Sequence, residues 1–406
     1  MEPAAWHGET LLLVVLLGIG AYALCSNLLA RAWITLPMVF VAFGYAISGP
    51  VETLGHGADL SHLQRLIAEV TLILVLFADA SHVRFKSVRM NWILPARMLV
   101  IGLPLTIALG TLLVFAVNPA AGIGMALLTA AVLTPTDAAL GQSFVGDPRV
   151  PVRLSETINV ESGLNDGLVL PFVILGATLA SMSMGGVHAS DLPSAVLGQL
   201  AIAALVGIGF GWITARLLGF AQRKGWASAP AQGIVFVAAA FAAFLASQTL
   251  GGNGFIATFV AGMVFGNTYR HDPHSIRDFM EGIGQLLTIA AFLIFGAFLL
   301  PAAIAHMTWV AVAVAVGFLT FVRMVPIWLS LLGTETTLKE RLVLGWFGPR
   351  GIASLLFTLI IMDEFDFPAE QELLACVAMT VVLSILAHGF SSAFVAQSTY
   401  EPETVD

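Results

Sequence analysis

Charge is what this chain has least of. Asp, Glu, Lys and Arg make up only 10% of its 406 residues, whereas 58% are hydrophobic. An ordinary soluble domain carries about 25% charged residues, and a soluble protein of this length could not hide so much apolar surface. The mean hydropathy of +0.93 points instead to a polytopic membrane protein, whose expected partner is the lipid bilayer and not nucleic acid. Cysteine is nearly absent. Cys25 and Cys376 both lie in apolar runs, where they are expected to pack as small hydrophobes and not as a disulfide or a metal site. No Lys or Arg precedes the first apolar run, and no convincing cleavage site follows it. That run is expected to be a retained span, not a signal peptide. The short alternating strands of a membrane β-barrel are also missing.

What is present is a series of apolar runs near the length of about 20 residues that crosses a bilayer as helix. Thirteen are expected, at 10–30, 32–50, 62–82, 92–117, 121–144, 152–181, 192–221, 229–249, 252–267, 278–300, 302–333, 338–362 and 370–396. The ninth is short and the eleventh is longer than a bilayer needs. Residues 1–396 read as one transmembrane domain, and 397–406 as a short acidic tail.

Basic residues orient the bundle. Linkers after odd-numbered spans, with the helix ends beside them, hold Arg31, then Arg84, Lys86, Arg89 and Arg97. Further on come Arg149 and Arg153, Arg216, Arg223 and Lys224, Arg270 and Arg277, and Lys339 and Arg341. The linkers after even-numbered spans are nearly bare apart from Arg65, and the one after span twelve is acidic (Asp363, Glu364, Asp366). Since positive loops stay in the cytoplasm, the N-terminus is expected outside and the C-terminus inside.

Spans 1–6 begin outside and spans 8–13 begin inside, the arrangement of an inverted repeat. The fifth span of each half is interrupted. Span five contains Leu133-Thr-Pro-Thr-Asp137 and span twelve contains Gly348-Pro-Arg-Gly351. Pro135 removes a backbone donor and clashes with the preceding turn. Matched breaks point to a transporter's binding site, because unwound backbone survives at membrane depth only where it lines a cavity.

Span six supplies the chemistry, in Glu161-Ser-Gly-Leu-Asn-Asp166. A carboxylate at membrane depth costs several kcal/mol, so intramembrane acids are functional candidates by default. On a helix Ser162 and Asp166 share a face, as do Glu161 and Asn165. Asp166 lies about 14 residues, roughly 21 Å, into its span. A buried acid there can hold a proton or a cation and not easily both, the simplest basis for exchanging them. Arg323 and Arg350 are the two deep basic residues. Glu161 is the expected partner of Arg323, with Asp166 the competitor. Arg350 can neutralise carbonyl ends of the broken helices or pair with Asp137, and Asp137 can neutralise amide ends. Glu156 and Asp79 are candidate funnel residues that gather cations; His82 and His306 read as interfacial histidines.

These motifs, with Phe321-Val-Arg-Met-Val-Pro326, Phe347-Gly-Pro-Arg-Gly-Ile352 and the Gly252–Gly262 run, resemble the first class of monovalent cation/proton antiporters, the family of the bacterial NhaP proteins and the animal sodium/proton exchangers. The resemblance implies an all-α fold of inverted six-helix repeats with two crossed broken helices. It implies Asp166 as the shared proton and cation site, with oxygens from Ser162 and Asp137 and the carbonyl of Thr136. Asn165 would brace the unwound stretch, and Glu161 with Arg323 would form a buried ion pair. Asn165 next to Asp166 is similar to the electroneutral form of the family. A core (92–181 and 302–396) would move against a dimerising scaffold (10–82 and 229–300), with 192–221 as linker helix. The cargo would be sodium, lithium or potassium against protons, with no cofactor, in a prokaryotic inner membrane. Two departures stand out: Ala138 where many relatives have Pro, and a tail too short for a large regulatory domain. The rival readings are a sodium-coupled symporter, a cation channel on the same scaffold, and an intramembrane aspartyl protease using Asp137 and Asp166.

Overall fold

The computed structural model describes residues 8–55, 61–83, 92–147, 149–182, 192–270 and 274–399. Arg84, Lys86 and Arg89 and the end of the acidic tail lie outside the described residues. Among the described residues every regular element is helical, and eight helices are long and apolar enough to cross a membrane.

The first span is α1 (Gly8–Arg31), whose outer face presents Leu13, Leu17 and Leu24. The second span is divided into α2 (Leu36–Ala46) and α3 (Ser48–Gly55), and the third is α4 (Ser61–His82). The fourth, α5 (Ile93–Val117), contains a π turn over Met98–Gly102 just before Pro104. The fifth begins as α6 (Gly122–Val132) and stops where predicted. Thr134 sits before Pro135 and is pushed out of helical geometry, and Pro135 has no N–H to continue the ladder. Residues 134–137 are non-helical, and a short helix follows at Gln142–Val145.

The sixth span, α7 (Val152–Met182), is 31 residues long. At 1.5 Å per residue it measures about 46 Å, more than the roughly 30 Å hydrocarbon core, so it overshoots or tilts. Just before it, the linker is tied by Arg149, which hydrogen-bonds the Asp147 carboxylate and holds it below the usual carboxylate range.

Next come α8 (Leu192–Arg223), α9 (Ala229–Thr249) and α10 (Gly254–Thr268), the last capped by Asn253, whose side chain accepts from the Ile256 N–H at 3.0 Å. The tenth span, α11 (His274–Ile294), runs on through a π turn at Phe295–Leu299 and a last segment at Leu300–Ala305.

The predicted 302–333 run needs correction at both ends of its first half. Its opening residues belong to the preceding helix, and the chain re-enters helix as α12 (Trp309–Leu319) with Thr308 as cap. A break at Thr320 (φ −113°, ψ −104°) then starts α13 (Phe321–Ser330), which carries Arg323. Thr320 lacks the Pro or Gly that marks such a break in sequence, which is why this one was not anticipated.

Span twelve is broken as expected. α14 (Leu338–Trp346) begins with a capping box between Thr337 and Glu340, and residues 347–351 are non-helical. The chain resumes as α15 (Ile352–Glu364) and closes with α16 (Glu370–Thr399). The two breaks meet. Phe144 and Phe347, both fully buried, stack with centroids 3.9 Å apart and planes 11° from parallel.

Packing follows two groupings. α8, α9 and α10 pack on one another, α10 lies along α4, and α2 packs on α11. Elsewhere α5, α6 and α7 form one layer, while α12 packs on α5, α13 and α16. α4 meets both groups, touching α7 and α15.

Candidate functional site

The site is built where the two interrupted helices cross. The backbone N–H of Asp137 donates to the carbonyl of Pro349 at 2.8 Å. Asp137 Oδ2 lies 3.3 Å from the Ile352 N–H, in the first turn of α15, where a carboxylate offsets the positive end of a helix. On the carbonyl side, Arg350 takes the first of its two expected roles. Its Nη1 donates to the carbonyl oxygens of Thr134 and Pro135, acceptors of the unwound stretch that have no helical partner. The Arg350 side chain is completely buried, and its Nε and Nη2 have no hydrogen-bond partner among the described residues. Gly351 is required by the crossing. A Cβ there would sit 2.2 Å from Asp137 Oδ2, and one at Gly348 would sit 2.3 Å from Arg323 Nε.

α7 lies against the crossing and contributes four polar side chains, all buried: Glu161, Ser162, Asn165 and Asp166. Arg323 grips Glu161 with two parallel bonds, Nη1 to Oε1 at 2.7 Å and Nη2 to Oε2 at 3.0 Å. The guanidinium fork matches the carboxylate, so neither charge is left bare. Glu161, not Asp166, is therefore the partner of Arg323.

Thr136 is held from three sides. Its carbonyl accepts from Ser162 Oγ at 2.6 Å, its hydroxyl accepts from Asn165 Nδ2, and that hydroxyl lies 3.3 Å from Glu161 Oε2. Asn165 thus ties α7 to the unwound stretch of span five. Asp166 Oδ1 is buried and has no hydrogen-bond partner among the described residues.

A cavity of about 1320 Å³ reaches this cluster, with Thr136, Asp137, Ser162 and Asp166 in its wall. Asp79 and Glu156 line the same cavity, so both candidate funnel residues face the space leading to Asp166. Asp79 is deeper than its position near the end of α4 implied: its backbone carbonyl lies 3.3 Å from where a Cβ on Gly163 would be. Glu156 is solvent-exposed. The cavity wall also takes in the ends of α1, α4 and α10, at Ala30, His82 and Tyr269.

Arg65, the exception to the charge pattern, has a partner. It forms an ion pair with Asp363 of the acidic linker, joining the start of α4 to the end of α15. The pair that sequence reasoning missed is Ser384 and His388, both buried in α16 and both bonded to the second break. Two polar residues four apart inside an apolar span were the available signal.

Crossed, unwound helices at membrane depth are a construction seen in transporter folds. The chain belongs to the sodium/hydrogen exchanger family, whose transmembrane model matches residues 11–397. Among curated relatives, the K(+)/H(+) antiporter NhaP2 of Shewanella sp. (strain MR-4) is 28% identical over 271 residues, 65% of this chain and 46% of the relative. The K(+)/H(+) antiporter NhaP of Alkalimonas amylolytica is 27% identical over 276 residues, 67% of this chain and 46% of the relative. The chain spans about half the length of these curated relatives. The structure of the sodium proton antiporter MjNhaP1 from Methanocaldococcus jannaschii at pH 8 superposes with a TM-score of 0.77 at 17% identity, covering 95% of this chain and 97% of that one. That likeness establishes the shared fold.

Proposed function

We propose that this chain exchanges protons for monovalent cations across a membrane, with Asp166 as the group that binds one or the other. The observation that carries the reading is the buried Asp166 Oδ1, unpartnered among the described residues, in the wall of a cavity it shares with Asp137, Ser162 and Thr136. A carboxylate, a hydroxyl and a backbone carbonyl are hard oxygen donors suited to sodium, lithium or potassium. A proton and a cation compete for the same oxygen, so occupancy by one excludes the other.

Charge at the crossing explains why the carrier exchanges and does not leak. On the core helices Asp137, Glu161 and Asp166 oppose Arg323 and Arg350, leaving the core one net negative charge when the site is empty; Asp79, in the same cavity wall, belongs to the scaffold helix α4. One proton or one monovalent cation neutralises it. The empty carrier, still charged, crosses the bilayer centre at a cost of several kcal/mol; the loaded forms are both neutral. Exchange is then one for one and electroneutral.

In this reading α5–α7 and α12–α16 are the moving core, and α1–α4 and α9–α11 are a scaffold that dimerises, with α8 as the helix between them. The cavity opens toward the helix ends that carry Arg153 and Arg270, the face the basic residues assign to the cytoplasm. This state is inward-facing, with Asp79 and Glu156 gathering cations, the N-terminus outside and the C-terminus inside a prokaryotic cell membrane. The names of the relatives agree with proton-coupled exchange of potassium or sodium. The test is a fluorescence dequenching assay on proteoliposomes, titrating sodium, lithium and potassium across pH. Cation-dependent proton release supports the reading; none with any of the three ions overturns it. A rate that changes strongly with an imposed membrane potential would overturn the one-for-one stoichiometry.

A further inference from the structure

The second helix break is shaped by two side chains that take no part in the ion chemistry above. Ser384 and His388 are four apart on α16, so they share one face, and they are 0% and 1% exposed. Both reach the non-helical segment. The backbone N–H of Arg350 donates to Ser384 Oγ at 2.7 Å. At the other end of the segment, His388 Nε2 lies 2.9 Å from the carbonyl oxygen of Trp346, the last residue of α14.

Each nitrogen of the His388 ring faces a backbone carbonyl, Nε2 that of Trp346 at 2.9 Å and Nδ1 that of Ser384 at 3.0 Å. A carbonyl only accepts, so the single hydrogen of a neutral ring serves one of these two carbonyls, and on Nε2 it serves that of Trp346. His388 is buried and none of its hydrogen-bond partners is a carboxylate, so a charge on its ring would be uncompensated and strongly destabilising. The ring is therefore neutral, and with its hydrogen on Nε2 it leaves Nδ1 as an acceptor. Ser384 Oγ lies 3.2 Å from Nδ1, and its hydroxyl, which accepts from the Arg350 N–H, can donate to the ring in that tautomer. The relay runs from Arg350 N–H through Ser384 and His388 to the Trp346 carbonyl. It thereby ties both ends of the break to one helix. Trp346 is fastened a second time, its indole N–H donating to Ser391 Oγ at 2.9 Å.

A helix interrupted at membrane depth has orphan N–H and carbonyl groups that need partners. Here α16 supplies one of each. The segment it holds includes Pro349, whose carbonyl receives the Asp137 N–H at 2.8 Å. We propose that Ser384 and His388 are positioning residues that set the geometry of the second break and, through Pro349, hold Asp137 at the ion site. This rests on the ion-carrying reading of Asp137 and Asp166 given above.

The test has two readouts on purified protein: Ser384→Ala, His388→Ala and the double variant. The first is hydrogen–deuterium exchange of the segment spanning 346–352. Removing the Ser384 hydroxyl leaves the Arg350 N–H without its acceptor, and its exchange is expected to quicken at least tenfold. The second is the KM for the cation, sodium or potassium, that the unaltered protein transports in proteoliposomes. Each single change is expected to raise KM at least threefold, and the double variant no further than the worse single. His388→Gln retains an N–H for the Trp346 carbonyl and is expected to stay nearer the parent value. With Ser384→Ala, it serves as the test if His388→Ala does not fold.

A role in folding alone would lower the amount of active protein and leave KM and Arg350 exchange where they were. Either unchanged quantity, or effects that multiply in the double variant, overturns the proposal. If the unaltered protein moves neither cation against protons, the transport reading fails, while the exchange measurement still decides whether the relay holds the break.

Discussion

The backbone N–H of Asp137 is bonded to the carbonyl oxygen of Pro349 at 2.8 Å. Main chain from one interrupted helix thus completes main chain from the other, 212 residues further on. No side-chain substitution at either residue removes that bond directly. The site is consequently one rigid crossing, against which α7 lays Ser162 and Asp166. A bond of this kind is worth only about 1 kcal/mol net, yet leaving it unmade at this depth costs more.

Asp166→Asn is expected to abolish cation-coupled proton movement in proteoliposomes while the protein still elutes as a folded species. Asparagine keeps the shape and loses the charge that distinguishes an empty site from a filled one. Normal exchange by this variant would move the binding site elsewhere.

Glu161→Ala leaves the Arg323 guanidinium buried without its carboxylate, a loss of about 3–5 kcal/mol. The Arg65–Asp363 pair is about 40% exposed on both sides, and Asp363→Asn is expected to cost under about 1 kcal/mol. Thermal unfolding in detergent should rank the parent, Asp363→Asn and Glu161→Ala in that order, with a large gap before the last. A Glu161→Ala protein as stable as its parent would refute the structural role of the pair.

Gly351→Ala adds a methyl carbon only 2.2 Å from where Asp137 Oδ2 now lies. The carboxylate has to move. The KM for the transported cation is expected to rise about tenfold, a loss of about 1.4 kcal/mol, with the fold kept because the break needs no helical geometry at 351. An unaltered KM would show that Asp137 does not touch the ion.

The proposed competition at Asp166 also fixes the sign of the pH response. Protons bound at Asp166 exclude the cation, so the apparent KM should fall as pH rises and approach a tenfold change per pH unit while the site is mostly protonated. Above the titration of the site the KM should level off. An apparent KM independent of pH over three units would mean the two ions bind at different groups.

Much of the site was legible from the chain because the bilayer enforces simple rules. A carboxylate or an arginine inside an apolar run cannot be incidental, so Glu161, Asp166, Arg323 and Arg350 identified themselves. Pro135 and the Gly348-Pro-Arg-Gly351 run marked both breaks, since neither residue type continues a helix. The break at Thr320 carried no such mark. Ser384 and His388 were passed over because a serine and a neutral imidazole cost far less in a span than a charge, and their purpose lies in partners more than thirty residues away in sequence.

By itself, the sequence determined that this protein lives in a membrane, roughly where most of its spans fall, and which acids and bases are too costly to be there by chance. These are properties of single residues and their immediate neighbours against a low-dielectric solvent. Only the tertiary structure decided which arginine meets which carboxylate, which carbonyls Arg350 serves, and that α16 holds the second break. Pairing is a matter of distance and direction between segments far apart in the chain, and linear spacing carries neither.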